Sequence, residues 1–204
     1  MKNKFIKLSL LSCSALLLFA QCKESTSSEL SAVHESLKSN FGGFESKEKW
    51  GEHLVTIGGC NDCHTPKKMT AHGPQLDSTL LLSGHPAGMP APEVNREEME
   101  KKGLAVTNTL TAWVGPWGIS YAANLTSDAT GIGNWDEATF FRAIREGKYK
   151  GIAAARNLLP PMPWEMIGHM TDEELSAVFA YLKSTNPIKN VVPEVQPPVL
   201  AAAH

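Results

Sequence analysis

The sequence predicts an all-α domain with long Pro/Gly-rich loops, on three observations. Three segments carry apolar residues at helical spacing behind a residue able to cap them, Pro and Gly crowd between the first and second of these, and no alternating run is long enough for a substantial strand. The first helix is expected over about 47–58, with Ser46 as cap, Trp50, Leu54 and Val55 on one face, and Gly58-Gly59 as the break. Residues 65–134 contain Pro66, Pro74, Pro86, Pro90, Pro92 and Pro116, and only a short helix at 94–102 is expected there. The second clear helix begins behind Asp136, aligns Phe140, Ala143 and Ile144, and stops at Gly147. The third opens on Thr171-Asp172-Glu173-Glu174, a capping box, and continues with Leu175, Val178, Phe179 and Leu182 as a stripe.

The ends of the chain read differently. Residues 1–21 have the form of an export signal: Lys2, Lys4 and Lys7, then an apolar run from Leu8 to Ala20 that is too short for a membrane span. Cys22 ends that run and a Ser-rich stretch follows, the pattern of a bacterial lipoprotein whose cysteine becomes diacylated. Cys13 and plain secretion are the alternatives. These features place the protein in the periplasm, tied to a membrane through Cys22. Residues 22–45 are expected to form a flexible tether, 46–190 the folded domain, and 191–204 an extended tail. Three of the 19 basic residues fall in the leader, which has no acid, so the remainder carries 16 basic against 21 acidic residues. That acidic balance, with no basic block, argues against a nucleic-acid partner.

Of four cysteines, Cys13 and Cys22 lie in or beside the leader. Cys60 and Cys63 remain, in Cys60-Asn61-Asp62-Cys63-His64. In an exported protein this C-x-x-C-H spacing suits covalent haem attachment: two thiols add to the two vinyl groups of one haem, and His64 follows as the proximal iron ligand. The alternatives are a Cys60–Cys63 disulfide, a thioredoxin-like dithiol, or half a zinc site. No second cysteine pair completes a zinc site, and no βαβ pattern frames a thioredoxin-like one. The sixth iron ligand is expected from Leu159-Pro160-Pro161-Met162-Pro163-Trp164, where prolines stiffen the loop that presents Met162. A thioether there raises the reduction potential. Met89 is its nearest rival, and His72, His85 or His169 would give a bis-His iron instead.

Several further strings, Ala123-Asn124-Leu125-Thr126, Gly131-Ile132-Gly133-Asn134-Trp135, Arg145-Glu146-Gly147, Pro160-Pro161-Met162-Pro163-Trp164 and Thr171-Asp172-Glu173-Glu174-Leu175, resemble the cytochrome c subunits of bacterial membrane dehydrogenases for alcohol or gluconate. The resemblance covers about 48–190. It implies a cytochrome c-like domain whose first and last helices cross, with Gly51 letting them approach at Phe179 or Tyr181. Gly73-Pro74 resembles the Gly-Pro of small class I cytochromes c, which implies that the Pro74 carbonyl orients His64. One C-x-x-C-H implies one haem c, unlike the multihaem members. Trp117, Asn124, Trp135 and Arg156 carry donors suited to haem propionates.

The function expected is single-electron transfer between redox proteins: a dehydrogenase on one side, an oxidase or another cytochrome on the other. The alternative is a ligand-binding or peroxidase-like haem protein, which needs an open iron position.

Overall fold

The computed structural model describes residues 41–200 of the chain. The leader, Cys13, Cys22, most of the expected tether and residues 201–204 lie outside the described residues. The regular elements among the described residues belong to the unit that starts at Phe44. In order they are α1 (Lys47–Ile57), α2 (Cys60–His64), β1 (Lys67–Thr70), β2 (Gly73–Leu76), α3 (Arg96–Lys102), β3 (Ala112–Gly115), β4 (Gly118–Tyr121), α4 (Glu137–Arg145), a 3-10 turn (Tyr149–Gly151), α5 (Trp164–Ile167) and α6 (Asp172–Ser184).

The four expected helices form where their caps place them. Ser46 accepts from Lys49 N–H at 3.2 Å and Asp136 from Thr139 N–H at 2.8 Å. Asn95 starts α3 by accepting from Glu98 N–H at 3.1 Å. The capping box of α6 is complete: Thr171 Oγ1 accepts from Glu174 N–H at 3.2 Å, and the Glu174 carboxylate from Thr171 N–H at 2.7 Å. Each such cap is worth about 1 kcal/mol.

The most extensive helix pairing is α1 against α6. Gly51 sits at its closest point, where a Cβ would fall 1.9 Å from the Ala177 carbonyl oxygen and 2.8 Å from Tyr181 Cβ. Of the two expected neighbours, Tyr181 is there and Phe179 is not. Ala177 and Tyr181 stand one turn apart on the same face of α6, whereas Phe179 points away from it. Its ring packs on Phe140 of α4 instead, with centroids 5.3 Å apart. Around this junction Leu54, Val55, Leu82, Ile132, Phe140, Ile144, Leu175, Val178 and Leu182 make one buried core.

The all-α expectation holds only in part. β1 and β2 form an antiparallel hairpin, and β3 pairs with β4 in a second, Val114 facing Ile119. Bridges from Val106 to Val114 and from Ile119 to Gln196 extend the second pair on both edges. Four-residue strands are too short to show alternation, and Pro74, Pro116 and several glycines make both hairpins look like loop. Residues 191–200 contain no regular element beyond the bridge at Gln196, and they are fastened down. Gln196 exchanges two backbone hydrogen bonds with Ile119, at 2.8 and 3.1 Å. The Glu100 carboxylate accepts from the N–H groups of Val199 and Leu200, both at 2.9 Å.

Candidate functional site

α1 ends at Gly58, and Gly59 turns the chain into the single helical turn Cys60–His64. One turn places Cys60 and Cys63 three residues apart on one face, with His64 directly behind. The two cysteines are free thiols. Burial raises both: it pushes Cys60 up to about 11 and moves Cys63 in the same direction. They are therefore neutral thiols near neutral pH. A reactive thioredoxin-like dithiol needs a lowered pKa, so this environment disfavours that alternative. Among the described residues no three His, Cys, Asp or Glu side chains gather to hold a metal ion.

His64 is buried, and its position is fixed from three directions. Nδ1 lies 2.8 Å from the Ala123 carbonyl oxygen. A carbonyl only accepts, so Nδ1 carries the proton and Nε2 keeps its lone pair. Burial, partly opposed by that hydrogen bond, lowers the pKa of the ring and keeps it neutral. The His64 carbonyl accepts from Gly84 N–H at 2.8 Å. Next to it, Thr65 Oγ1 donates to Asn61 Oδ1 at 2.7 Å and accepts from Leu82 N–H at 2.9 Å. Gly84 has φ +77, and a Cβ on it would come within 2.5 Å of the Ala123 carbonyl carbon, so only glycine lets this loop lie against the segment that holds the imidazole.

The expectation for Pro74 is therefore corrected. Pro74 is exposed in β2, opposite Met69, and the acceptor for His64 is Ala123. A Gly–Pro loop close in sequence suggests itself as the partner, while the actual partner lies 59 residues downstream. A backbone carbonyl leaves no mark in a sequence, although Ala123-Asn124-Leu125-Thr126 stands out as a string. Asn124 explains part of that string. Its amide donates to Ile188 O at 2.8 Å and its oxygen accepts from Thr126 N–H at 2.9 Å, so it pins the loop and is not free for a propionate. Trp117 donates from Nε1 to Ser120 Oγ at 3.0 Å, and Arg156 lies 3.9 Å over the Tyr149 ring while donating to Asn157 O.

Met162 is half-buried and packs on the same core cluster that Cys60 touches. Its loop is held by Ser120, whose hydroxyl donates to Pro160 O at 2.6 Å, and by Trp164, which lies over Gly147. The rival ligands are placed less well. Met69 and Met166 are 80% and 73% exposed. Met89 lies off the core cluster, and its carbonyl accepts from His85 Nε2 at 2.8 Å. His85 is fully buried with both nitrogens engaged, since Nδ1 accepts from Thr111 Oγ1 at 2.9 Å. His72 and His169 are exposed. The donor set thus consists of two neutral thiols on one turn, one imidazole with Nε2 spare, and one thioether on the adjoining core. That chemistry fits a covalently attached haem with His and Met ligands.

No family model matches the chain. Over 82 residues, 40% of its length, it is 38% identical to a subunit of the nicotinate dehydrogenase of Pseudomonas putida. It is 33% identical over 85 residues to the fructose dehydrogenase cytochrome subunit of Gluconobacter japonicus. Over 67 residues, 32% of the chain, it is 36% identical to the gluconate 2-dehydrogenase cytochrome c subunit of Pantoea cypripedii. The chain resembles the cytochrome c subunits of dehydrogenases. The matches span only 7%, 17% and 14% of those three proteins, so the likeness concerns a small part of each.

Proposed function

We propose that the chain is a single-electron carrier with one haem c, joined by thioethers to Cys60 and Cys63 and ligated by His64 and Met162. The observation that carries this reading is the helical turn Cys60–His64, with Nδ1 of His64 tied to Ala123 and Nε2 left free for a metal. The haem, when bound, supplies a one-electron iron couple. The chain's own residues fix the imidazole, present the thioether on a proline-braced loop, and set Cys60 and Met162 against the core cluster that includes Phe140, Ile144 and Leu175. Apolar surroundings raise the potential and exclude water. The likeness to dehydrogenase cytochrome subunits supports a dehydrogenase partner as electron donor, and the acceptor we propose is an oxidase or a further cytochrome. The protein acts as a carrier and not as the enzyme that oxidises the substrate.

Thioether attachment has a direct test. Denatured holoprotein extracted with acidified organic solvent should keep one haem per chain, and Cys60→Ala with Cys63→Ala should release it. Haem that passes wholly into the solvent phase from the wild type would overturn the reading.

We further propose export by residues 1–21 and anchoring of the mature periplasmic protein at Cys22, on the strength of the apolar run and the polar Ser-rich stretch that follows. Mass spectrometry of the mature N-terminus should find a diacylated Cys22, and Cys22→Ala should move the protein to the soluble fraction or block processing. An unmodified N-terminus at any other residue defeats this proposal.

A further inference from the structure

β4 and the residues that follow it run past both proposed ligand mounts. Ala123 accepts from His64 on one side, and three residues earlier Ser120 donates to Pro160 O, two residues before Met162. The loop around Met162 has few hydrogen-bond donors of its own. Pro160, Pro161 and Pro163 lack N–H groups, and Met162 N–H is spent on Leu159 O at 3.2 Å. Among the described residues, the Ser120 bond is the one side-chain hydrogen bond that reaches Leu159–Pro163 from another element. Ser120 is buried, and its hydroxyl is doubly engaged. Trp117 Nε1 donates to Oγ at 3.0 Å, which leaves the single hydroxyl hydrogen for Pro160 at 2.6 Å.

We propose that Ser120, oriented by Trp117, is a positioning residue for Met162: it fixes the proline arm of the loop so that the thioether stays at the iron against competing ligands. The inference rests on Met162 as ligand. It adds that the sixth ligand is set by a hairpin residue 40 positions upstream of Pro160, on a strand whose continuation also orients His64.

The test is imidazole titration of the oxidised holoprotein, read with the far-red iron–sulfur band. Ser120→Ala should bind imidazole about tenfold more tightly than wild type and show a weakened band, since one intramolecular hydrogen bond is worth up to about one factor of ten. Covalent haem content should be unchanged. Ile119→Ala, on the same strand with its side chain on the opposite face, controls for general loosening and should keep wild-type imidazole affinity. Equal tightening in both variants would mean that Ser120 is merely structural, and the proposal would fail. It would also fail, with Met162 ligation intact, if Ser120→Ala behaves as wild type while Met162→Ala loses the band. A band that survives in Met162→Ala removes the ligand assignment and this inference with it. Should Ser120→Ala yield no holoprotein, Trp117→Phe decides: tighter imidazole binding supports the proposal, and wild-type binding overturns it.

Discussion

Met162→Ala is expected to abolish the far-red iron–sulfur band of the oxidised protein, to let the reduced protein bind carbon monoxide stoichiometrically, and to lower the reduction potential. Axial ligands command a range of roughly 0.8 V across haem proteins, and loss of a thioether, which favours ferrous iron, should take on the order of 0.1 V or more of it. The expectation follows from placement. Met162 is half-buried on the cluster that Cys60 also contacts, whereas Met69 and Met166 are open to water and Met89 lies away from that cluster. His85 has no free nitrogen to step in. The prolines on either side of Met162 hold the loop, and of the other methionines Met170 alone packs on the same cluster among the described residues. Optical spectra, carbon monoxide titration and potentiometry read the three effects independently. A band that survives would move the ligand to another methionine, Met89 first. Carbon monoxide binding by the wild type as ready as by the variant would mean an open iron, and the ligand-binding or peroxidase-like alternative would then stand.

What is legible in the sequence is local. Ser46, Asp136 and Thr171 each satisfy an N–H three residues away, and Cys60, Cys63 and His64 occupy one turn, so these features need no knowledge of the fold. The partners of those residues are hidden because they come from far along the chain through backbone atoms. Ala123 holds His64 with a carbonyl, Gly84 with an N–H, and Pro160 is held through its own carbonyl. Resemblance at a Gly–Pro pair points to Pro74 for the role of Ala123 because it weighs sequence proximity, and the hairpin that carries Pro74 turns out to be exposed. The hairpins themselves carry no alternating signal. β3–β4 is identified only by its neighbours: Val106 on one edge, Gln196 on the other, and the Met162 loop beyond Ser120. For the same reason the sequence shows an extended tail and not what holds it. Its anchors, Ile119 and Glu100, lie far from it in sequence.

Gly51→Ala should destabilise the holoprotein by roughly 1–2 kcal/mol, a fall in Tm of about 2–8 °C for a domain of this size. Two effects oppose each other. Alanine is the better helix former by about 1 kcal/mol, so at an open position in α1 the change would stabilise. Here the new Cβ would meet the Ala177 carbonyl oxygen at 1.9 Å, well inside contact distance, and α1 must move off α6 to admit it. Overpacking commonly costs about 1–3 kcal/mol and more where backbone must shift, and it outweighs the propensity gain. The displacement would also reach the site. α1 is followed after two glycines by Cys60, so a shift of the helix carries the thiols away from the mount that Ala123, Gly84 and Leu82 provide for His64 and Thr65. Yield of holoprotein should therefore drop along with stability. Because the obstructing atom is a backbone oxygen, Ala177→Gly in the same chain should not restore either one. Urea and thermal unfolding followed by far-UV circular dichroism, with haem content per chain, check both effects. A Gly51→Ala protein as stable as wild type, or rescue by Ala177→Gly, would show that the two helices do not cross as closely as the structure has them.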